Sequence, residues 1–247
     1  MIRRERRWTS MMIELDKKQL ADVDYRSREA FKALRTNILF CGDDVKVIAL
    51  TSATPNEGKS TVSLNLAISL AEMGKKVIYI DADLRKSVVK QKHRIKGVKV
   101  GFSHFLSGMK KFDEVVCSTN IPNLQMVLAG PVPPNPSELL GSKYMAVLLK
   151  NLREVYDFII IDAPPVGSVT DATVIAKESD GTILVISQGQ ISYKFEQKVL
   201  SDLKISGCRI LGAILNKVDM SEKGYYGNYY GKYYGKYYGK YGHDEEQ

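Results

Sequence analysis

Gly58, Lys59, Ser60 and Thr61 stand between an apolar run and an amphipathic one. A lysine and two hydroxyls behind a glycine suit a polyphosphate. Backbone N–H groups point at its oxygens, an ammonium neutralises it, and a hydroxyl ligates a hard cation. The segment reads Ala53-Thr54-Pro55-Asn56-Glu57-Gly58-Lys59-Ser60-Thr61, so alanine replaces the first glycine of the G-x-x-x-x-G-K-[ST] phosphate loop. Gly58 lets the backbone approach closely. Asp81 and Asp83 follow Val77-Ile78-Tyr79-Ile80, and Asp162 follows Phe158-Ile159-Ile160-Ile161. Carboxylates beside phosphates suit Mg2+, which takes oxygen donors and keeps part of its water shell. One aspartate after a strand is commonly a turn residue, but three around one phosphate loop are not well explained that way.

A second kind of chemistry lies at the end of the chain. Nine of its 14 tyrosines fall in one stretch: Tyr225, Tyr226, Tyr229, Tyr230, Tyr233, Tyr234, Tyr237, Tyr238 and Tyr241. Only glycine, asparagine and lysine separate them, so the segment has no aliphatic residue with which to build a core. A phosphoryl-donor site and a row of phenol acceptors on one chain read as an enzyme carrying its own substrate. Asn216-Lys217-Val218-Asp219 resembles the base-reading N-K-x-D pattern. Asn216 is thus a candidate base contact, with adenine or guanine left open.

These groups need a frame. The apolar periodicities predict helices over 27–40, 58–73, 102–106, 171–177 and 193–205, and a long helix from Ser137, as its N-cap, towards Tyr156. Strands are expected at 45–53, 76–80, 124–128, 158–161, 182–187 and 210–215. Continuous apolar strands alternating with amphipathic helices mean a doubly wound, mostly parallel α/β sheet covered on both faces. In such sheets ligands sit beyond the carboxyl ends of the strands. The 53–61 loop, Asp81, Asp162 and Asn216 all fall there. The expected organisation is a partly flexible extension at 1–24, a phosphate-loop domain at 25–219 and a flexible tyrosine-rich tail at 220–247.

Composition narrows the setting. The chain has 247 residues, 44% of them hydrophobic, and a formal net charge of +8. Apart from the N-terminal arginines and the tail lysines, the basic residues read as scattered, which favours solubility over an acidic partner. Cys41, Cys117 and Cys208 show neither a disulfide framework nor zinc spacing, which fits a reducing cytoplasm. No apolar run approaches the roughly 18–20 residues that span a bilayer.

Taken together, the loop at 53–61, the Asp81-Ala82-Asp83 segment, the Asp162 strand, Pro133-Pro134-Asn135-Pro136-Ser137-Glu138-Leu139-Leu140 and the tyrosine-rich end resemble the bacterial tyrosine kinases of capsule and exopolysaccharide synthesis. The likeness runs from about Tyr25 to the end, and phosphate loops of that family often lack the first glycine. The resemblance implies ATP and Mg2+ as cofactors, with residues 54–61 holding phosphate and Ser60, Asp83 and Asp162 serving the metal. It implies catalytic roles for Lys59, Asp81, Asp83 and Asp162, with Asp81 drawing the proton from the incoming phenol. It implies autophosphorylation of the tail, control of polysaccharide synthesis and export, and a cognate tyrosine phosphatase. A transmembrane activator of the polysaccharide co-polymerase type would recruit the chain to the inner face of the membrane. The family's E-x-x-R-x-x-R assembly helix reads here Glu29, Lys32 and Arg35, with lysine for the first arginine, and implies a homo-oligomeric ring.

Three other readings compete, one of them a plain ATPase whose tail is merely sticky and disordered. A partition or septum-placing ATPase shares such a frame, but its signature lysine would stand where this chain has Thr54. A nucleic-acid-binding module would use the tyrosines to stack bases. Nothing beyond the tail supports it, so no nucleic-acid partner is expected.

Overall fold

The computed structural model describes residues 11–16, 25–167 and 170–219. The tyrosine cluster lies outside the described residues, as do 1–10 and 17–24. Eight strands form one sheet: β1 (Met11–Ile13), β2 (Val47–Ser52), β3 (Val77–Asp81), β4 (Val116–Thr119), β5 (Leu124–Val127), β6 (Phe158–Asp162), β7 (Gly181–Ser187) and β8 (Ile210–Asn216). Their spatial order is β1-β4-β5-β3-β6-β2-β7-β8. Neighbours pair in parallel except β4 and β5, so β1 and β4 run against the other strands.

The central strands show why aliphatic, β-branched runs form this sheet. Every residue of β2, β3 and β6 is buried. Successive side chains go to opposite faces. Ile48, Leu50, Val77, Tyr79, Phe158 and Ile160 enter one core cluster, while Val47, Ala49, Ile78, Ile80, Ile159 and Ile161 enter the other. The first cluster is completed by α1 (Tyr25–Leu39) and α2 (Lys59–Glu72). The second is completed by α4 (Phe102–Leu106), α6 (Pro136–Leu140), α7 (Lys143–Leu152) and α8 (Asp171–Glu178). The short helices α3 (Val89–Lys92) and α5 (Phe112–Val115) fill connections, and α9 (Tyr193–Ile205) packs Val199 and Leu203 with Leu184 of β7.

Three sequence expectations change. The long helix from Ser137 is two helices, broken at Gly141 and Ser142, which end α6 and begin α7. The N-cap of α6 is Asn135, with Pro136 at its first turn, where the missing N–H costs nothing. Ser137 lies within α6 instead and donates its hydroxyl to the buried Asp171. Met11–Ile13, within the extension for which no element was expected, forms an edge strand on Cys117–Thr119. Three residues pairing with a segment more than a hundred positions away leave no local signal.

The entry to β2, which leads to the phosphate loop, is held by one carboxylate. Asp180 Oδ2 accepts the Lys46 and Val47 amides at 2.9 and 2.8 Å and the Arg153 guanidinium at 2.6 Å. These bonds outweigh burial and keep its carboxyl below the usual value. Asp180→Ala leaves two backbone donors and a cation without their acceptor. We expect a loss of about 2–3 kcal/mol in urea unfolding, with no change in fold by circular dichroism.

Candidate active site

The carboxyl edge of the sheet gathers the expected residues. Register places Asp81 beside Asp162 on adjacent strands, and Leu50 of β2 pairs with Asp162 on the other side. Two residues beyond Leu50, β2 gives way to the phosphate loop, and that loop opens α2.

The loop is fastened from several directions. Asn56 and Gly58 take left-handed φ of 66° and 90°. Gly58 is required twice over, since a Cβ there would also lie 2.1 Å from Asn216 Nδ2. Asn216 donates to the Glu57 carbonyl at 2.9 Å, and Lys217 to the Asn56 carbonyl at 2.5 Å. Gln190 donates to the Pro55 carbonyl at 2.9 Å and to Thr54 Oγ1 at 3.2 Å. The buried Glu57 carboxylate accepts the Thr54 amide at 2.8 Å and the Ser187 amide at 3.5 Å. Ala53, standing at the missing glycine, packs its methyl with Leu184, Val199 and Leu203, while its carbonyl accepts Gly167 N–H. Thr61 accepts a hydrogen bond from Lys92 of α3, a second cation beside the loop.

The charged centre is compact. Lys59 Nζ meets Asp162 Oδ1 at 2.5 Å, with both side chains buried, and lies 3.4 Å from Ser60 Oγ. Tyr79 donates its phenol to Asp162 Oδ2 at 2.9 Å. Burial, followed by the charges of Asp162 and Asp81, holds that phenol well above its ordinary value, so it remains a donor. Asp81 accepts from Ser87 through Oδ2, while its buried Oδ1 has no hydrogen-bond partner. Burial, then repulsion from Asp162, lifts the Asp81 carboxyl from 3.8 to about 7, against the pull of Ser87 and Lys59. Asp83 caps the Lys86 amide at 2.9 Å. Arg85 grips Asp171 with Nε and a terminal nitrogen at 2.7 and 3.1 Å, and also reaches Ser137. The 81–87 turn is thereby tied to α6 and α8.

Among the described residues, no group of three or more His, Cys, Asp or Glu is arranged to hold a metal. The donors that are present are the Ser60 hydroxyl and the Asp83 and Asp162 carboxylates, with the unpartnered Asp81 Oδ1 nearby. This set fits a hydrated Mg2+ that takes its remaining ligands from phosphate and water, rather than a closed protein cage.

Sequence reading had missed Tyr79, Ser87, Lys92, Gln190 and the clamp of Arg85 on Asp171. Tyr79 left a signal, being the one hydroxyl in a buried strand that is otherwise aliphatic up to Asp81. The rest left none. Asn216 and Lys217 were noticed, but the structure places both on loop carbonyls.

The chain matches the AAA domain family over residues 45–205. It is 43% identical over 205 residues to the tyrosine-protein kinase CpsD of Streptococcus agalactiae, covering 82% of this chain and 90% of that one. The chain belongs to the bacterial tyrosine-protein kinases. The kinase domain of Escherichia coli tyrosine kinase ETK superposes with a TM-score of 0.74 at 34% identity, covering 77% of this chain and 75% of that one. The chimerical protein CapA2B2 gives 0.75 at 32%, covering 83% and 92%. The rival reading shares the fold at greater distance: a septum site-determining protein MinD from Pyrococcus horikoshii, complexed with Mg-ADP, gives 0.62 at 29%, covering 73% of each.

The carboxyl of Asp81 has a consequence for stability. A folded value above the unfolded one means that ionisation opposes folding. The penalty is absent below 3.8, grows as pH rises, and is complete above about 7. Asp81→Asn removes it. In the absence of nucleotide and metal, the variant is expected to be more stable than wild type at pH 8, by on the order of 2 kcal/mol. The gain should shrink towards pH 5. Thermal unfolding at the two pH values checks this, and an equal gain at both would contradict it.

Proposed function

We propose that this kinase transfers the terminal phosphoryl group of ATP to tyrosines of its own 225–241 segment, and that the transfer controls capsule or exopolysaccharide synthesis. One observation carries the reading: the buried Lys59 ammonium, held on Asp162, lies at the mouth of a phosphate loop with the Asp81 carboxylate one strand away. Mg-ATP, when bound, supplies the phosphoryl group. The protein's part is placement and charge, which is most of what phosphoryl transfer requires. Lys59 carries the positive charge for phosphate oxygens, and Ser60, Asp83 and Asp162 offer oxygens to the metal. Asp81 Oδ1, which has no hydrogen-bond partner, is the acceptor for the proton of an incoming phenol.

The polysaccharide setting is supported by the names of relatives. They include the putative tyrosine-protein kinase CapB of Staphylococcus aureus and a putative tyrosine-protein kinase in the cps region of Klebsiella pneumoniae. No helix among the described residues is long and apolar enough to cross a membrane. Recruitment to the inner membrane face by a transmembrane activator, and reversal by a tyrosine phosphatase, belong to the same reading. So does ring assembly through α1. There Glu29 and Lys32 form an exposed ion pair at 2.7 Å, while Arg35 reaches back to the Ser69 carbonyl of α2 at 2.9 Å.

Purified protein incubated with labelled ATP and Mg2+ tests the proposal. Lys59→Met should abolish labelling while circular dichroism stays native. Deleting 220–247 should remove the label from the chain but leave ATP hydrolysis. Labelling undiminished in Lys59→Met would refute the site. Mass spectrometry showing Tyr225–Tyr241 unmodified, with an activator present, would refute the acceptor.

A further inference from the structure

The basic excess of this chain is not scattered. From Leu84 to Phe112 there is no acidic residue, while Arg85, Lys86, Lys90, Lys92, Arg94, Lys96, Lys99, Lys110 and Lys111 all fall there. The structure folds part of this run into a cleft. A cavity of about 480 Å³ is walled by Ser87, Lys90, Arg94, Ile95 and Lys96. A second, of about 300 Å³, shares Ser87 and Lys90 and continues past Lys99 to Gly130 and Pro131. None of the described lining residues is acidic. Ser87, common to both, is the residue whose hydroxyl is hydrogen-bonded to Asp81. The cleft therefore begins one side chain away from Asp81, the carboxylate proposed above to take the phenol's proton.

We propose that this cleft is a phosphotyrosine subsite: it holds a tyrosine already phosphorylated while its neighbour along the same acceptor segment is presented to Asp81. The inference rests on the reading of 225–241 as acceptor. Its walls combine Ile95 and the aliphatic stems of lysine and arginine, which cover an aromatic ring, with ammonium and guanidinium heads that pair with a phosphate dianion. A single-stranded nucleic acid would call for aromatic platforms on the protein, and no described lining residue is aromatic. The acceptor segment repeats its tyrosine pairs every four residues, so each pair lies within about 13–14 Å of the next when extended. Before transfer the segment offers the cleft only neutral phenols and its own lysines. Each phosphate adds roughly −1.5 to −2 charges. The cleft thus distinguishes a modified segment from an unmodified one, and the first transfer should be slower than those that follow.

The test uses dephosphorylated full-length kinase and two peptides of sequence 225–241, one unmodified and one phosphorylated at Tyr229. Fluorescence anisotropy measures binding, and labelled ATP with activator gives kcat/KM. Wild type should bind the phosphorylated peptide about tenfold more tightly, and use it about tenfold better, as two or three charge-assisted contacts would give. The paired substitution Arg94→Gln with Lys96→Gln should erase that preference while leaving kcat/KM for the unmodified peptide within twofold, as expected for residues outside the transfer site. Equal binding of the two peptides by wild type, or a preference that survives the substitutions, overturns the proposal. So does an oligodeoxythymidine of similar length binding more tightly than the phosphopeptide and losing that binding in the variant. If wild type labels neither peptide, the acceptor reading falls, and the anisotropy comparison still decides the subsite.

Discussion

The carboxylate of Asp162 is the point on which the rest of the site turns. It is fully buried in the middle of an eight-stranded sheet, where an unpaired charge would be strongly unfavourable. Lys59 and Tyr79 resolve this from two directions. Burial first, and then the same negative charge one strand away, raise the Asp81 carboxyl above the usual carboxylate range. One residue thus fixes the Lys59 ammonium and adds to the raised pKa of its neighbour. The sheet makes this possible because parallel strands bring their carboxyl ends to one edge.

The phosphate loop depends on that edge in a second way. It is not held by its own turn alone. Asn216 and Lys217 grip it from the end of β8, Gln190 from the end of β7, and Glu57 from within. The loop's shape is therefore a property of the assembled sheet. This also bears on the septum-placing relatives that share the fold. Thr54, where the sequence reading expected a signature lysine in such an ATPase, has its amide on Glu57 and its hydroxyl accepting from Gln190, so the position serves to brace the loop.

The proline-rich motif at 133–140 is explained by packing. Pro136 opens α6, Asn135 bonds Glu138, and Ser137 faces Asp171 together with Arg85. Burial raises the Asp171 carboxyl, but hydrogen bonds from Arg85 and Ser137 outweigh this and keep it ionised. The clamp joins the turn carrying Asp81 and Asp83 to the helices beneath it. Its members are 34 to 86 positions apart, so no local spacing revealed it.

Local physics was enough to place most of the frame. Aliphatic runs such as 158–161 need burial on both faces, helical spacing from Leu64 to Ala71 marks an inward-facing helix, and Gly74 with φ 87° ends it. These rules depend on neighbours in sequence, as does the glycine–lysine–hydroxyl order of the phosphate loop. What the sequence by itself determined was therefore the class of fold, the phosphate site and the strand ends bearing carboxylates. Only the tertiary structure decided which carboxylate is ion-paired and which keeps an oxygen without a partner, that Asn216 braces the loop, that 137–156 breaks in two, and that part of the basic run after Asp83 lines one cleft. Pairing, desolvation and cavity shape are set by distances between segments far apart in the chain, and such distances exist only once the sheet has formed.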